Sequence, residues 1–130
     1  MTEAMLLKFV VKEHPYIDVD RYRKLLSASE VDERIVREIY DQTVGCSITG
    51  KKNRDEIIFV ASILKLYSPQ SLFIGDKTKN SVCDLIYRVL DLSYNQKASY
   101  RIKVAKELFE VDKVFRFQVD QIVRRYRDGE

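Results

Sequence analysis

Residues 54–67 read RDEIIFVASILKLY, with apolar side chains at Ile57, Ile58, Phe59, Val60, Ala61, Ile63, Leu64 and Leu66. On a helical wheel these positions fall on nearly every side. A helix that faces solvent keeps a polar stripe, whereas one that is apolar all round is enclosed by others. The stretch therefore predicts a buried central helix, and the remaining chain has to supply the elements that surround it. Asn53 is placed to cap this helix, and Asp55 and Glu56 put acid in its first turn, where the helix dipole favours it. Ser68 and Pro69 end it.

Toward the N-terminus, residues 3–13 read as an amphipathic helix that stops near His14, because Pro15 biases its predecessor away from helical angles. Asp18 or Asp20 caps a short helix through Leu26, with Tyr22, Leu25 and Leu26 inward. Ser27 with Glu30, and Ser29 with Asp32, have capping-box spacing and predict the start of a third helix, whose apolar positions are Val31, Ile35, Val36, Ile39 and Tyr40. Gly45 stops it, and CSITGKKN over 46–53 is a loop.

Toward the C-terminus, PQSLFIG is a helical turn or an apolar connector. Val82, Leu85, Ile86, Val89 and Leu90 then follow the i, i+3, i+4, i+7 template without a miss, behind a cap at Asn80 or Ser81. Ala98, Ile102, Ala105 and Phe109 continue at helical spacing, and Val111, Phe115, Val119, Ile122 and Tyr126 form a last stripe. Alternation over 100–104 and 115–119 also fits a pair of strands. Because both patterns extend at helical period beyond the alternating part, the expectation is an all-α bundle of six or seven short helices over 1–130.

Composition agrees. The chain has 130 residues, 45% hydrophobic and 33% charged, with only 4 Gly and 2 Pro, as expected of a folded domain rich in helix. A domain of this length buries roughly two-thirds of the surface its unfolded chain exposes, so it requires no staple. Cys46 and Cys83 have no metal-ligand spacing and His14 is the one histidine, so no metal and no cofactor are expected. Reduced cysteines are the simpler reading, with Cys46 in a turn and Cys83 in a helix. The apolar run Met5–Val11, broken by Lys8, is too short for a signal peptide or a span, which predicts a cytoplasmic protein with no membrane contact.

No catalytic pattern is present in the sequence. Gly45, Gly50 and Gly75 are isolated, and the TGKK segment lacks the spacing of a phosphate loop. Acids such as Asp18 with Asp20, or Asp32 with Glu33, suit helix starts better than acid and base roles. The expectation is a protein that is not an enzyme.

Charge carries more information. The chain is +3 overall, yet residues 97–127 hold nine Lys or Arg against four Asp or Glu, about +5, which leaves the remainder about −2. Such clustering predicts a nucleic-acid-binding regulatory or accessory protein whose phosphate contacts are Lys97, Arg101, Lys103, Lys106, Lys113, Arg116, Arg124, Arg125 and Arg127. Lys51, Lys52 and Arg54 form a further basic loop. A helix-turn-helix drawn over 80–103 would present Lys97, Ser99, Tyr100, Arg101 and Lys103. The alternative is a protein-interaction or homodimer module that uses exposed aromatics, with Tyr16, Phe73, Tyr87, Tyr94 and Phe117 as candidates and Tyr87 and Phe117 foremost. The series Arg54, Ile57, Ile58, Ala61, Leu64, Tyr67, Gly75, Asp76, Ser81 and Val82 resembles a short part of the DNA-binding domain of bacterial replication initiators. It departs from that domain in the brevity of the segment between Tyr67 and Gly75 and in lacking the signature histidine, and no function is carried over from it.

Overall fold

A sixteen-residue helix that is buried on all sides has to satisfy its own backbone and find apolar neighbours in every direction, and the computed structural model, which describes residues 2–14, 18–75, 77–91 and 95–127, is arranged accordingly. Among the described residues there are eight α-helices and no strands. They are α1 (Glu3–Glu13), α2 (Val19–Leu25), α3 (Glu33–Tyr40), α4 (Lys52–Tyr67), α5 (Pro69–Phe73), α6 (Asn80–Val89), α7 (Asn95–Val111) and α8 (Lys113–Val123). A π-helical turn over Asp41–Gly45 prolongs α3. From Ile58 to Tyr67 every residue of α4 is buried. Helices α3, α5, α6, α7 and α8 all pack against it.

The all-α expectation holds, and both segments that also fitted strands lie within α7 and α8. Tertiary burial decides this: Ile102, Ala105 and Phe109, and Phe115, Val119 and Ile122, are buried at helical and not alternating spacing. Eight helices stand where six or seven were expected, because Pro69, pre-set for a first helical position, starts α5 one residue after α4 ends.

Three boundaries differ from expectation. The third helix begins at Glu33 rather than near Ser27 or Ser29, since Asp32 is its N-cap and accepts from the Arg34 N–H at 2.9 Å. The preceding strip is instead tied to the central helix, where the Ser29 N–H donates to the Leu66 carbonyl at 2.8 Å. Asn53 does not cap α4. Lys51 occupies that position without a side-chain bond, and the buried Asp55 carboxylate turns back to accept from the N–H and the hydroxyl of Thr49 at 2.8 and 2.6 Å. Val111, read as part of the last stripe, is 75% exposed, because Asp112 breaks the chain into separate α7 and α8.

Two ion pairs are built into the core around α4. Glu56 and Arg101, with side chains 6% and 17% exposed, meet at 3.3 Å. Lys65, 8% exposed, donates to Asp120 at 2.6 Å. Buried charge is tolerated only when paired, so both contacts fix how α7 and α8 lie on α4. Cys46 is exposed and Cys83 half-buried, and both are free thiols. No helix among the described residues is long and apolar enough to cross a membrane.

Candidate nucleic-acid interface

The last helix starts at Asp112, whose carboxylate accepts from the N–H groups of Val114 and Phe115 at 3.0 and 3.1 Å. It also meets Arg54 at 3.3 Å, and the Arg54 guanidinium lies 5.0 Å over the Phe115 ring. The Phe115 N–H first, with Arg54 assisting, holds the Asp112 carboxyl below the ordinary carboxylate range. A depressed folded-state value contributes stability above the unfolded value near pH 4, and that contribution is lost as pH falls through the folded value. Asp112→Asn keeps a capping side chain and removes the charge. In urea titrations across pH 2–5, the variant is therefore expected to lose less stability on acidification than the parent.

With α8 anchored there, Phe115, Val119, Ile122 and Val123 are buried beneath it. Its exposed positions are Lys113, Val114, Phe117 and Gln121, and Arg124 and Arg125 are exposed in the turn that follows it. At about 100° per residue Lys113, Val114, Phe117, Gln121 and the C-cap Arg124 fall within an arc of about 100°. None of them is acidic. The two acids of this helix region are engaged elsewhere, Asp112 with Arg54 and Asp120 with Lys65. Phe117 stands 63% exposed in the middle of the arc and Val114 67% exposed beside it.

Alongside α8 runs a shallow groove of about 340 Å³, lined on one wall by Phe117, Gln121 and Arg125 and on the other by Gln42, Cys46 and Ile48. The π-helical turn sets the second wall. Thr43 donates to the Ile39 carbonyl at 2.8 Å and holds the wide turn, and Gln42 reaches the Tyr126 hydroxyl at 2.9 Å. Tyr126 also donates to Glu38 at 3.1 Å, and burial first, then Glu38, pushes its phenol upward. Glu38 thus borders the face at its C-terminal end. The loop continues from the groove into exposed Lys51 and Lys52, and the contact of Arg54 with Asp112 sets that end of α4 beside Lys113.

Of the expected cations, Lys51 and Lys52 are exposed at the start of α4, Lys113 at the start of α8, and Arg124 and Arg125 just after its end. Others do structural work. Arg101 faces Glu56. Arg116 donates to the Phe109 and Glu110 carbonyls at 2.9 and 2.7 Å and lies over the Phe109 ring, closing the C-terminus of α7. Arg127 donates to the carbonyls of Lys65, Lys24 and Ser27 at 3.2, 2.7 and 3.2 Å, which staples the chain end across the molecule. Arg54 is held by Asp112. Helical spacing would put Lys113, Arg116, Arg124 and Arg127 of the expected contacts on one stripe, and two of these four, Arg116 and Arg127, are occupied within the fold.

On α7, Lys103 is exposed with Glu107 four residues on along the same face. Lys106 is half-buried among residues of α5 and α6, away from the α8 groove. The side chains of Lys97, Tyr22 and Leu25, and residues Tyr16 and Tyr94, lie outside what the structure describes. The drawn helix-turn-helix loses Arg101 to the core, although Ser99, Tyr100 and Lys103 are exposed. Among the described aromatic candidates, Tyr87 packs against the core and Phe73 stacks edge-on against Phe109 with centroids 5.4 Å apart, so Phe117 is the one left standing out. Gln42, Ile48 and Gln121 were not anticipated. Gln121 was in principle visible, four residues after Phe117 and three before Arg124, whereas Gln42 and Ile48 reach the face only through the π-turn.

Among the described residues, no group of three or more His, Cys, Asp or Glu is disposed to hold a metal ion. No protein-family model, curated protein or solved structure matches this chain.

Proposed function

We propose that this chain is a non-catalytic nucleic-acid-binding accessory or regulatory protein that engages duplex through the outer face of α8. The observation that supports this most is the acid-free arc of Lys113, Val114, Phe117, Gln121 and Arg124, with Arg125 next in the following turn and Lys51 and Lys52 exposed at the start of α4. Residues 113–123 span about 15 Å at 1.5 Å per residue, with Arg124 and Arg125 just beyond. A major groove is about 12 Å wide, so Lys113 at one end and Arg124 and Arg125 at the other reach phosphates on both of its banks. Between them Gln121 offers an amide suited to adenine, and Phe117 an apolar edge suited to the thymine methyl.

Each phosphate contact contributes about tenfold in affinity at 0.1 M salt through counterion release. The triple variant Lys113→Glu, Arg124→Glu, Arg125→Glu is therefore expected to bind mixed-sequence duplex at least about a hundredfold more weakly in fluorescence anisotropy. Lys103→Glu, on a face that already carries Glu107, should change affinity by less than about threefold. Equal loss from both variants would mean that net charge alone governs binding, and the assignment to α8 would be abandoned.

A second reading has its own support. Phe117 and Ile48 put exposed apolar side chains on the same groove and Val114 stands exposed on α8, which suits self-association through a helix face. Light scattering separates the two. A stable dimer that is indifferent to duplex and dissociates on Phe117→Glu favours assembly, and a monomer that binds duplex favours the first reading.

A further inference from the structure

We propose that the pocket between the start of α6 and the flank of α7 binds a terminal phosphate group. This site is distinct from the α8 face and does not depend on it. The pocket holds about 510 Å³, inside the roughly 300–1,000 Å³ span of small-ligand sites.

Its donors converge from two elements. Helix α6, ten residues long, begins behind Lys79 with no side-chain cap. The N–H groups of Val82 and Cys83 return to the Lys79 carbonyl at 3.0 Å, and those of Asn80 and Ser81 lie ahead of them in the turn whose N–H groups lack intrahelical partners. Asn80 lines the pocket. So does Thr78, which is 5% exposed and whose hydroxyl has no hydrogen-bond partner among the described residues. A buried hydroxyl without a partner is uncommon in a native fold and asks for an occupant beside it. Lys77 lines the same pocket, and α7 contributes Ser99 and Lys106 to it. Asp84 is the acid of the lining, one turn further along α6.

Backbone N–H groups at a helix start, a hydroxyl and ammonium groups make a donor-rich site, and the oxygens of a phosphate accept from all of them. Cation binding would need several oxygen ligands, and Asp84 is the one carboxylate of the lining. The space exceeds that of the phosphate alone and leaves room for the group that bears it. A small phosphomonoester and the 5′-phosphate of a nucleic-acid end share this chemistry.

The test is an amide-resolved NMR titration of the full chain with inorganic phosphate, with glycerol 3-phosphate, and with 5′-phosphorylated and unphosphorylated short oligonucleotides, each at constant ionic strength set by chloride. The site predicts saturable shifts centred on Asn80 and Ser81. Thr78→Val is expected to weaken them about tenfold, and Thr78→Ser, which restores the hydroxyl, to retain parental affinity. Preference for glycerol 3-phosphate, or for the phosphorylated over the unphosphorylated strand, identifies which source fits and supports the site in either case. Unsaturable shifts scattered over surface lysines would overturn the proposal, as would a folded Thr78→Val chain that binds phosphate as tightly as the parent. Because Lys113, Arg124 and Arg125 lie elsewhere, the triple α8 variant should leave this titration unchanged even if duplex binding is absent.

Discussion

Phe59→Ala is expected to lower the free energy of unfolding by about 3–5 kcal/mol, read from urea denaturation. Phe59 is fully buried in the middle of α4 and meets Tyr40 edge-on, with ring centroids 5.7 Å apart and planes at 86°. Truncation removes the transfer energy of the ring and opens a cavity where the α3 side of the bundle rests on the central helix. Neighbours Val36, Ile39 and Ile58 are fully or nearly fully buried, so little of that volume can be recovered by side chains swinging in from the surface. A loss under about 1.5 kcal/mol would mean that α4 is not the enclosed element described here.

Arg101→Met is the second large effect, also about 3–5 kcal/mol, because it leaves the Glu56 carboxylate buried without its partner. The lost attraction is the smaller part of this cost. The larger part is the desolvation of a charge that the fold keeps away from water. That reasoning makes a further demand on the double variant: Glu56→Leu with Arg101→Met removes both charges, and it should recover most of the stability that the single change loses. Were the double variant as unstable as Arg101→Met alone, the arginine would be acting through packing of its stem and not through the carboxylate.

The architecture is legible in the sequence wherever burial imposes a period. The all-round apolar run at 57–66 marks α4, and the unbroken stripe from Val82 to Leu90 marks α6, because in both cases the pattern that folds the helix is also the pattern that packs it. Boundaries are less legible. Ser27, Ser29 and Asp32 all carry capping chemistry, and what chooses Asp32 is the bond from Ser29 to the Leu66 carbonyl, a contact with a residue far along the chain. Asp112 hides for a similar reason. Val111 and Phe115 keep helical spacing across it, and only the paired N–H groups of Val114 and Phe115 show that one helix ends and another begins.

The candidate interface was half legible. In the sequence, Arg101, Arg116, Arg124 and Arg127 look alike. What separates them is what lies nearby after folding: Glu56, 45 positions away, for Arg101, and the Ser27 carbonyl, 100 positions away, for Arg127. Side chains that find such partners serve the fold, and those that do not are left to solvent or to a ligand. Charge counting finds the basic third of the chain, and it takes the bundle to show that Arg101, Arg116 and Arg127 are held within the fold while Lys103, Lys113, Arg124 and Arg125 are exposed.

The salt dependence of duplex binding tests the α8 face most directly. With Lys51, Lys52, Lys113, Arg124 and Arg125 on phosphates, the logarithm of the association constant should fall against the logarithm of salt concentration with a slope of about −4 to −5, and the triple reversal on α8 should bring the slope to about −2. Absence of measurable binding at about 50 mM salt, or a slope that the triple reversal leaves unchanged, would contradict the assignment of nucleic-acid binding to α8.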